Sequence, residues 1–150
     1  MNRELKFRAW HKPTNEMYWF DVLNGMKHGT GGGYIPMALV CDAITIRTYK
    51  DNLKAIDPMD CELMQYTGLQ DKNGKEIYEG DILLCHEYDS SDIGGKIIQT
   101  FKNAVVGFEN GSFYYYPKGN MKQHHQLLMY AYMPEIIGNI YQNPELLNKQ

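Results

Sequence analysis

The 150-residue chain carries 15 Lys and Arg against 18 Asp and Glu, and 43% of it is hydrophobic. That length and apolar content suit one domain, or two closely packed lobes, able to fold without staples. A net charge of −3 excludes a protein whose main task is to coat duplex nucleic acid, which needs a concentrated basic surface. Cys41, Cys61 and Cys85 form no CxxC pair, so the sequence writes neither a disulfide framework nor a zinc ribbon, and reduced, buried thiols are expected. Residues 1–10 hold no apolar signal core, and the longest apolar run, 127–133, is far shorter than a membrane span. The expectation is a cytoplasmic protein of a bacterial cell with no membrane contact.

Along the chain, residues 4–10 and 17–22 predict a first hairpin across 11–16, HKPTNE, a polar turn with Pro and Asn. Phe7, Trp10, Tyr18, Trp19 and Phe20 are then expected to cluster. Arg3, Lys6, Arg8, His11 and Lys12 are interleaved with Leu5, Phe7 and Ala9; at period two this reads as a solvated strand face rather than a phosphate contact. Residues 24–33 contain five glycines, a composition that favours a loop or lobe connection. A boundary is therefore expected between an N-terminal β-hairpin lobe, 1–60, and a barrel lobe, 61–150. A phosphate-cradling loop would need a strand before it, a helix after it and a Gly-Lys-Ser/Thr ending, and Gly33-Tyr34-Ile35-Pro36 supplies neither helix nor ending. Residues 43–49 are β-branched and half-polar, predicting a strand that Asp57-Pro58 breaks.

The stretch 63–82, LMQYTGLQDKNGKEIYEGDI, is the most informative. Asn73-Gly74 are the residue types that most easily take positive φ, so 71–74 predicts a tight reversal between strands 63–69 and 75–78. Gly80 permits a second sharp turn, Asp81 can accept backbone hydrogen bonds, and 82–85 reads as a buried strand. After a polar loop at 88–95, residues 96–100 with 104–108 predict the next strand or pair of strands, and Asn110-Gly111 joins 105–108 to 112–116 as another hairpin. Residues 121–132 fit a short helix better than a strand on their apolar spacing. Residues 136–141 predict a closing strand, and Asn143-Pro144-Glu145 predicts a short terminal helix with Asn as cap and Pro in its first turn. The sum is a mainly β fold, a small antiparallel SH3-like or related barrel with one or two short helices.

Three blocks together resemble a known family. Lys6-Phe7-Arg8-Ala9-Trp10 with Met17-Tyr18, the stretch 63–82, and 135–147, EIIGNIYQNPELL, are similar in order and spacing to the opening, signature and closing motifs of the YopX family of bacteriophage and prophage proteins. The likeness spans nearly the whole chain. It implies a β fold and a phage origin, assigns no molecular activity, and gives Trp10, Tyr66, Gly68, Asn73, Gly74, Gly80, Asp81, Gly138, Asn139 and Pro144 as structural signature residues.

Chemistry is sparsely written. Asp71, Glu76, Glu79 and Asp81 could bind a magnesium ion for phosphoryl work, but the turns give Asp71 and Asp81 structural reasons to exist, and no nucleophile or base accompanies them in a known pattern. His124 and His125 are adjacent, poor geometry for one metal on strand or helix, while His11, His28 and His86 lack partners at ligand spacing. No Gly-x-Ser-x-Gly elbow occurs, and Cys85 sits on an apolar strand. No cofactor and no catalytic activity are expected. The binding candidates are Tyr114 and Tyr116, which alternation sends to one side of 113–116, followed by Lys118 and Lys122. Core packing is the default reading of these rings; exposed, they could anchor a protein or, last, stack single-stranded bases. The reading is a non-catalytic module that binds a host or phage protein or assembles, with a nucleic-acid accessory protein as the alternative and a magnesium-dependent enzyme third; self-association is also expected, since small β domains have edges to cover.

Overall fold

The structure, a computed structural model, describes residues 6–21, 25–28, 34–35, 38–40, 43–47, 53–56, 58–89, 95–117 and 126–148, with side chains described over 6–19, 59–89, 95–117 and 126–148. It is mainly antiparallel β, as the hairpin grammar predicts. The chain divides into two units, Met1–Tyr66 and Thr67–Gln150. The division falls six residues beyond the expected boundary at 60, inside a continuous strand, and Gly25–His28 of the glycine-rich stretch is itself strand.

The first unit contains β1 (Lys6–His11), β2 (Glu16–Asp21), β3 (Gly25–His28), β4 (Tyr34–Ile35), β5 (Ala38–Val40), β6 (Ala43–Arg47), β7 (Leu53–Ile56) and the first part of β8 (Cys61–Gln70). One sheet runs β4-β3-β2-β1-β8 and a second β5-β6-β7. The β1–β2 hairpin closes at Asn15, whose φ of 54° lies in the left-handed region that Asn tolerates. His11 Nδ1 sits 2.7 Å from Thr14 Oγ1 across the same turn.

Register fixes what shares a face. Phe7 opposes Gln65, Ala9 opposes Tyr18 and Leu63, and Trp10 opposes Met17 and Glu62. Alternation therefore puts Phe7 and Tyr18 on one face and Trp10 and Trp19 on the other; the expected single aromatic cluster is split in two, and the side chain of Phe20 lies outside the described residues. The expected solvated basic face is also corrected. Arg8, Ala9, Trp10 and His11 are all buried, because β1 is a central strand covered on both faces, where burial no longer follows period two. Lys6 instead lies 5.5 Å from the ring of Tyr66, and Lys12 pairs with Glu62 at 2.6 Å.

The second unit contains the end of β8, β9 (Glu76–Tyr78), β10 (Asp81–Asp89), β11 (Lys96–Glu109), β12 (Ser112–Pro117), β13 (Gln126–Leu127), β14 (Tyr132–Asn139) and a single turn of helix, α1 (Glu145–Asn148). The five-stranded sheet β13-β12-β11-β10-β14 curls into a half-barrel. Register shifts between Leu83 and Cys85 and between Glu87 and Tyr88 on β10 bend it, since bulges sharpen local twist. On its concave side Ile77, Leu83, Cys85, Ala104, Val106, Tyr115 and Leu128 form the core, with Phe101, Phe113, Ala131 and Ile136 packed against them.

Asn110 (φ 49°) and Gly111 (φ 81°) make the two-residue reversal that joins β11 to β12, with Glu109 opposite Ser112; two consecutive positive φ values match the strands' twist. Of the strand or pair expected over 96–100 and 104–108, the structure has the single strand, β11. The short helix expected over 121–132 is corrected where it is described: 126–127 is β13, Leu128–Tyr130 a 3-10 turn, and β14 begins at Tyr132. Leu128 alone of that turn is buried, so one anchoring side chain replaces the helical stripe that the spacing suggested. A short terminal helix forms where expected, beginning directly after Pro144, with the Leu146 amide donating to Asn143 O at 3.1 Å.

Candidate functional site

The polar residues of the stretch 71–81 hold backbone. Asp71 is buried, and its Oδ1 accepts from the amides of Asn73 at 2.8 Å and Lys75 at 2.9 Å while Oδ2 accepts from Ile136 at 3.2 Å. Gly74, at φ 80°, completes the turn by donating to Asp71 O. The Lys72 amide donates to Pro134 O at 2.8 Å, and Lys72 Nζ lies 2.6 Å from Glu135. The turn thus satisfies outward groups of β14, an edge strand of its sheet, which blunts that edge. Burial alone would push the Asp71 carboxyl up, but the amides of Lys75, Ile136 and Asn73 outweigh it and hold it below the ordinary carboxylate range.

A second polar knot lies at Gly80, Asp81 and Asn139. Asp81 is 1% exposed and its Oδ2 accepts from the Tyr78 amide at 2.8 Å. Gly80 donates to Val106 O and accepts from Ile140 N and from Asn139 Nδ2 at 2.9 Å. Asn139 Oδ1 accepts from Tyr141 N, and Asn143 Oδ1 accepts from Asn139 N. The cap residue expected for α1 therefore turns its side chain back onto the strand. Gly138 leaves room for this: a Cβ there would lie 2.7 Å from Leu146 Cδ1 and 2.9 Å from Asn143 Oδ1.

These contacts locate three of the four carboxylates of the magnesium candidate, Asp71, Glu76 and Asp81. Asp71 and Asp81 face amides, Glu76 accepts from Tyr78 Oη at 2.8 Å, and among the described residues no group of three or more His, Cys, Asp or Glu is placed to hold a metal ion. Cys85 is fully buried, which pushes its thiol up to about 12. Cys61, expected buried, is half-buried. Cys41, His124 and His125 lie outside the described residues.

On the tyrosine face, Tyr116 takes the packed alternative rather than the exposed one. Tyr116 is 1% exposed; its ring lies over Gly107, where a Cβ would meet it at 2.8 Å, and its hydroxyl donates to Glu109 Oε2 at 3.1 Å. Burial and that carboxylate push it up to about 12. A ring so covered offers no face to a base. Tyr115, on the other side of the strand, is in the core, and Tyr114 is half-buried with its ring centroid 6.2 Å from that of Tyr116. Lys118 and Lys122 lie outside the described residues.

The exposed aromatics are elsewhere in the second unit. Tyr88 near the end of β10 opposes Ile97 on β11, and its ring stacks on Tyr132 of β14 with centroids 4.5 Å apart and planes at 18°. In the same unit Ile97, Ile98, Met129, Tyr130 and Met133 are half or more exposed, Met129 at 68% and Tyr130 at 62%. Met133 has φ 48°, a left-handed conformation that costs a non-glycine residue roughly 1–3 kcal/mol. The spacing over 121–132 predicts a helix face or a buried strand; the excess of Tyr and Met beyond one buried stripe is the signal in the sequence for the exposed surface.

A sequence profile described as YopX protein matches residues 6–148. The chain is similar to protein EF1440 from Enterococcus faecalis, whose crystal structure superposes with a TM-score of 0.48 at 23% identity, covering 95% of this chain and 97% of that one. Among curated protein sequences, none matches the chain. Among the described residues no helix is long and apolar enough to cross a membrane.

Proposed function

Because the chain belongs to the YopX family, we propose that it is a phage- or prophage-encoded, non-catalytic module that binds a host or phage protein in the bacterial cytoplasm through the exposed Tyr, Met and Ile surface of its second unit. The observation that carries this reading is the exposed Tyr88–Tyr132 stack with Ile97 opposite Tyr88, together with the exposure of Ile98, Met129, Tyr130 and Met133 in the same unit. Exposed apolar side chains are costly to leave in water and, where they adjoin, mark interaction sites, and Tyr and Met are enriched in protein interfaces. The strained backbone of Met133 supports it, since strain is retained where function requires it.

The test is capture of partners from bacterial lysate by the tagged chain, with and without nuclease, across a salt series. A nuclease-resistant protein retained in fixed stoichiometry by the wild type and lost from a Tyr130→Ser, Met133→Ser variant supports the reading. A second copy retained in that way makes the surface a self-association site. Recovery of nucleic acid that falls steeply with salt, or turnover by the pure protein, contradicts it.

A further inference from the structure

In the first unit a thiol, an imidazole, a carboxylate and a phenol share one sheet face. Glu16, His11 and Cys61 form a row across β2, β1 and β8, His11 being directly opposite both others. Directly opposed side chains on one face have Cβ atoms about 4.5–5.5 Å apart. The register at this end is pinned by the Lys12 amide donating to Asp60 O at 2.9 Å and by the Lys12–Glu62 ion pair. Tyr18 completes the group: its ring meets that of His11 edge-on at 6.4 Å, and its hydroxyl donates to Glu16 Oε2 at 2.6 Å.

The roles are unequal. Tyr18 is buried, which with the Glu16 carboxylate pushes it up to about 12, so it remains a neutral donor that holds Glu16. Thr14 holds His11 at Nδ1; in the tautomer whose Nδ1–H donates to Thr14 Oγ1, Nε2 carries the lone pair. Cys61 is reduced and half-buried, whereas Cys85 is sealed in the core. A thiol within reach of solvent and opposite an oriented imidazole is the arrangement that raises sulfur nucleophilicity.

We propose that Cys61 is a modification site for thiol–disulfide exchange with low-molecular-weight disulfides, with His11 as its base and Thr14 as the residue that positions His11. In the exchange the Cys61 Sγ–H proton passes to His11 Nε2, Sγ attacks one sulfur of the disulfide, and that S–S bond breaks as the new Sγ–S bond forms. The departing thiolate takes the proton from His11, so one thiol is consumed and one released; Cys61 is oxidised and the small disulfide reduced.

The experiment treats the full chain with an aromatic disulfide, 5,5′-dithiobis(2-nitrobenzoate), between pH 5 and 9, and resolves Cys41, Cys61 and Cys85 by peptide mass mapping. Among the described residues the titratable groups facing the pair are Glu16 and Tyr18 on β2, with Lys12 of the β1–β2 turn paired to Glu62 of β8 beside them. Cys61 is expected to react in the native chain while Cys85 does not. His11→Gln should cut the Cys61 rate at pH 7 about tenfold and change its pH profile to the plain rise of an unassisted thiol, with pKa near 8.5. Thr14→Val, at an exposed turn position, should cut it two- to threefold with the fold retained. A Cys61 rate unchanged in folded His11→Gln overturns the proposal; should that variant not fold, an unchanged rate and pH profile in Thr14→Val overturn it.

Discussion

Strand β14 joins two regions that use their side chains in opposite ways. From Glu135 to Asn139 it is tied to the turns at Asp71 and Gly80 by carboxylate, amide and ion-pair contacts. At Tyr132 and Met133 it carries exposed apolar groups, one of them on strained backbone. The polar region contains the residue types that chemistry uses, yet their oxygens face backbone amides; the apolar region contains types that packing uses, yet they face water. A polar residue is therefore informative through what its atoms touch, and an apolar one through how much of it stays uncovered.

If that contrast holds, damage to the polar knots should cost stability most. Asp71→Ala removes a buried carboxylate acceptor from the amides of Asn73, Lys75 and Ile136, and about 3 kcal/mol of lost unfolding free energy is expected, read from urea denaturation. The same residue sets a pH dependence. Its folded pKa lies below its ordinary value, so its contribution is fully present above the unfolded carboxyl's pKa, about 4, and is lost as pH falls from there through the folded value. Stability of the wild type should decline over that acidic window, and Asp71→Ala should flatten that part of the curve.

Close approaches come next. Gly138→Ala forces a Cβ against Leu146 and Asn143, and Gly107→Ala forces one against the Tyr116 ring; each should lower stability by about 1–3 kcal/mol. Met133→Gly should do the reverse, raising stability by about 1 kcal/mol through relief of the left-handed backbone, with partner retention falling as the side chain is lost. Smallest in stability is Tyr130→Ser, at an exposed position, expected within about 0.5 kcal/mol of wild type by thermal melting.

Much of the fold was legible wherever a turn demanded particular residues. Asn73-Gly74, Asn110-Gly111 and Asn143-Pro144 each mark a chain reversal or helix start that the structure contains. The site was less so, because periodicity reports which face a residue shares and not what covers that face. Arg8 and His11 read as solvated but lie on a strand buried on both sides. Tyr114 and Tyr116 were correctly placed on one side, yet Gly107 lets the Tyr116 ring fold flat against β11. The spacing over 121–132 reads as a packed element because Leu, Met and Tyr count as apolar, although of its described residues only Leu128 is buried in the core, with Ala131 packed against it.

The most direct measurement is quantitative partner retention by two variants side by side, Tyr130→Ser with Met133→Ser, and Asp71→Asn, each shown by circular dichroism to be folded under the assay conditions. The account predicts that the first loses at least tenfold in retention with its melting temperature nearly unchanged, while the second melts earlier and retains the partner. The opposite pattern, full retention by the surface variant and loss by folded Asp71→Asn, would place function in the polar knot and contradict it.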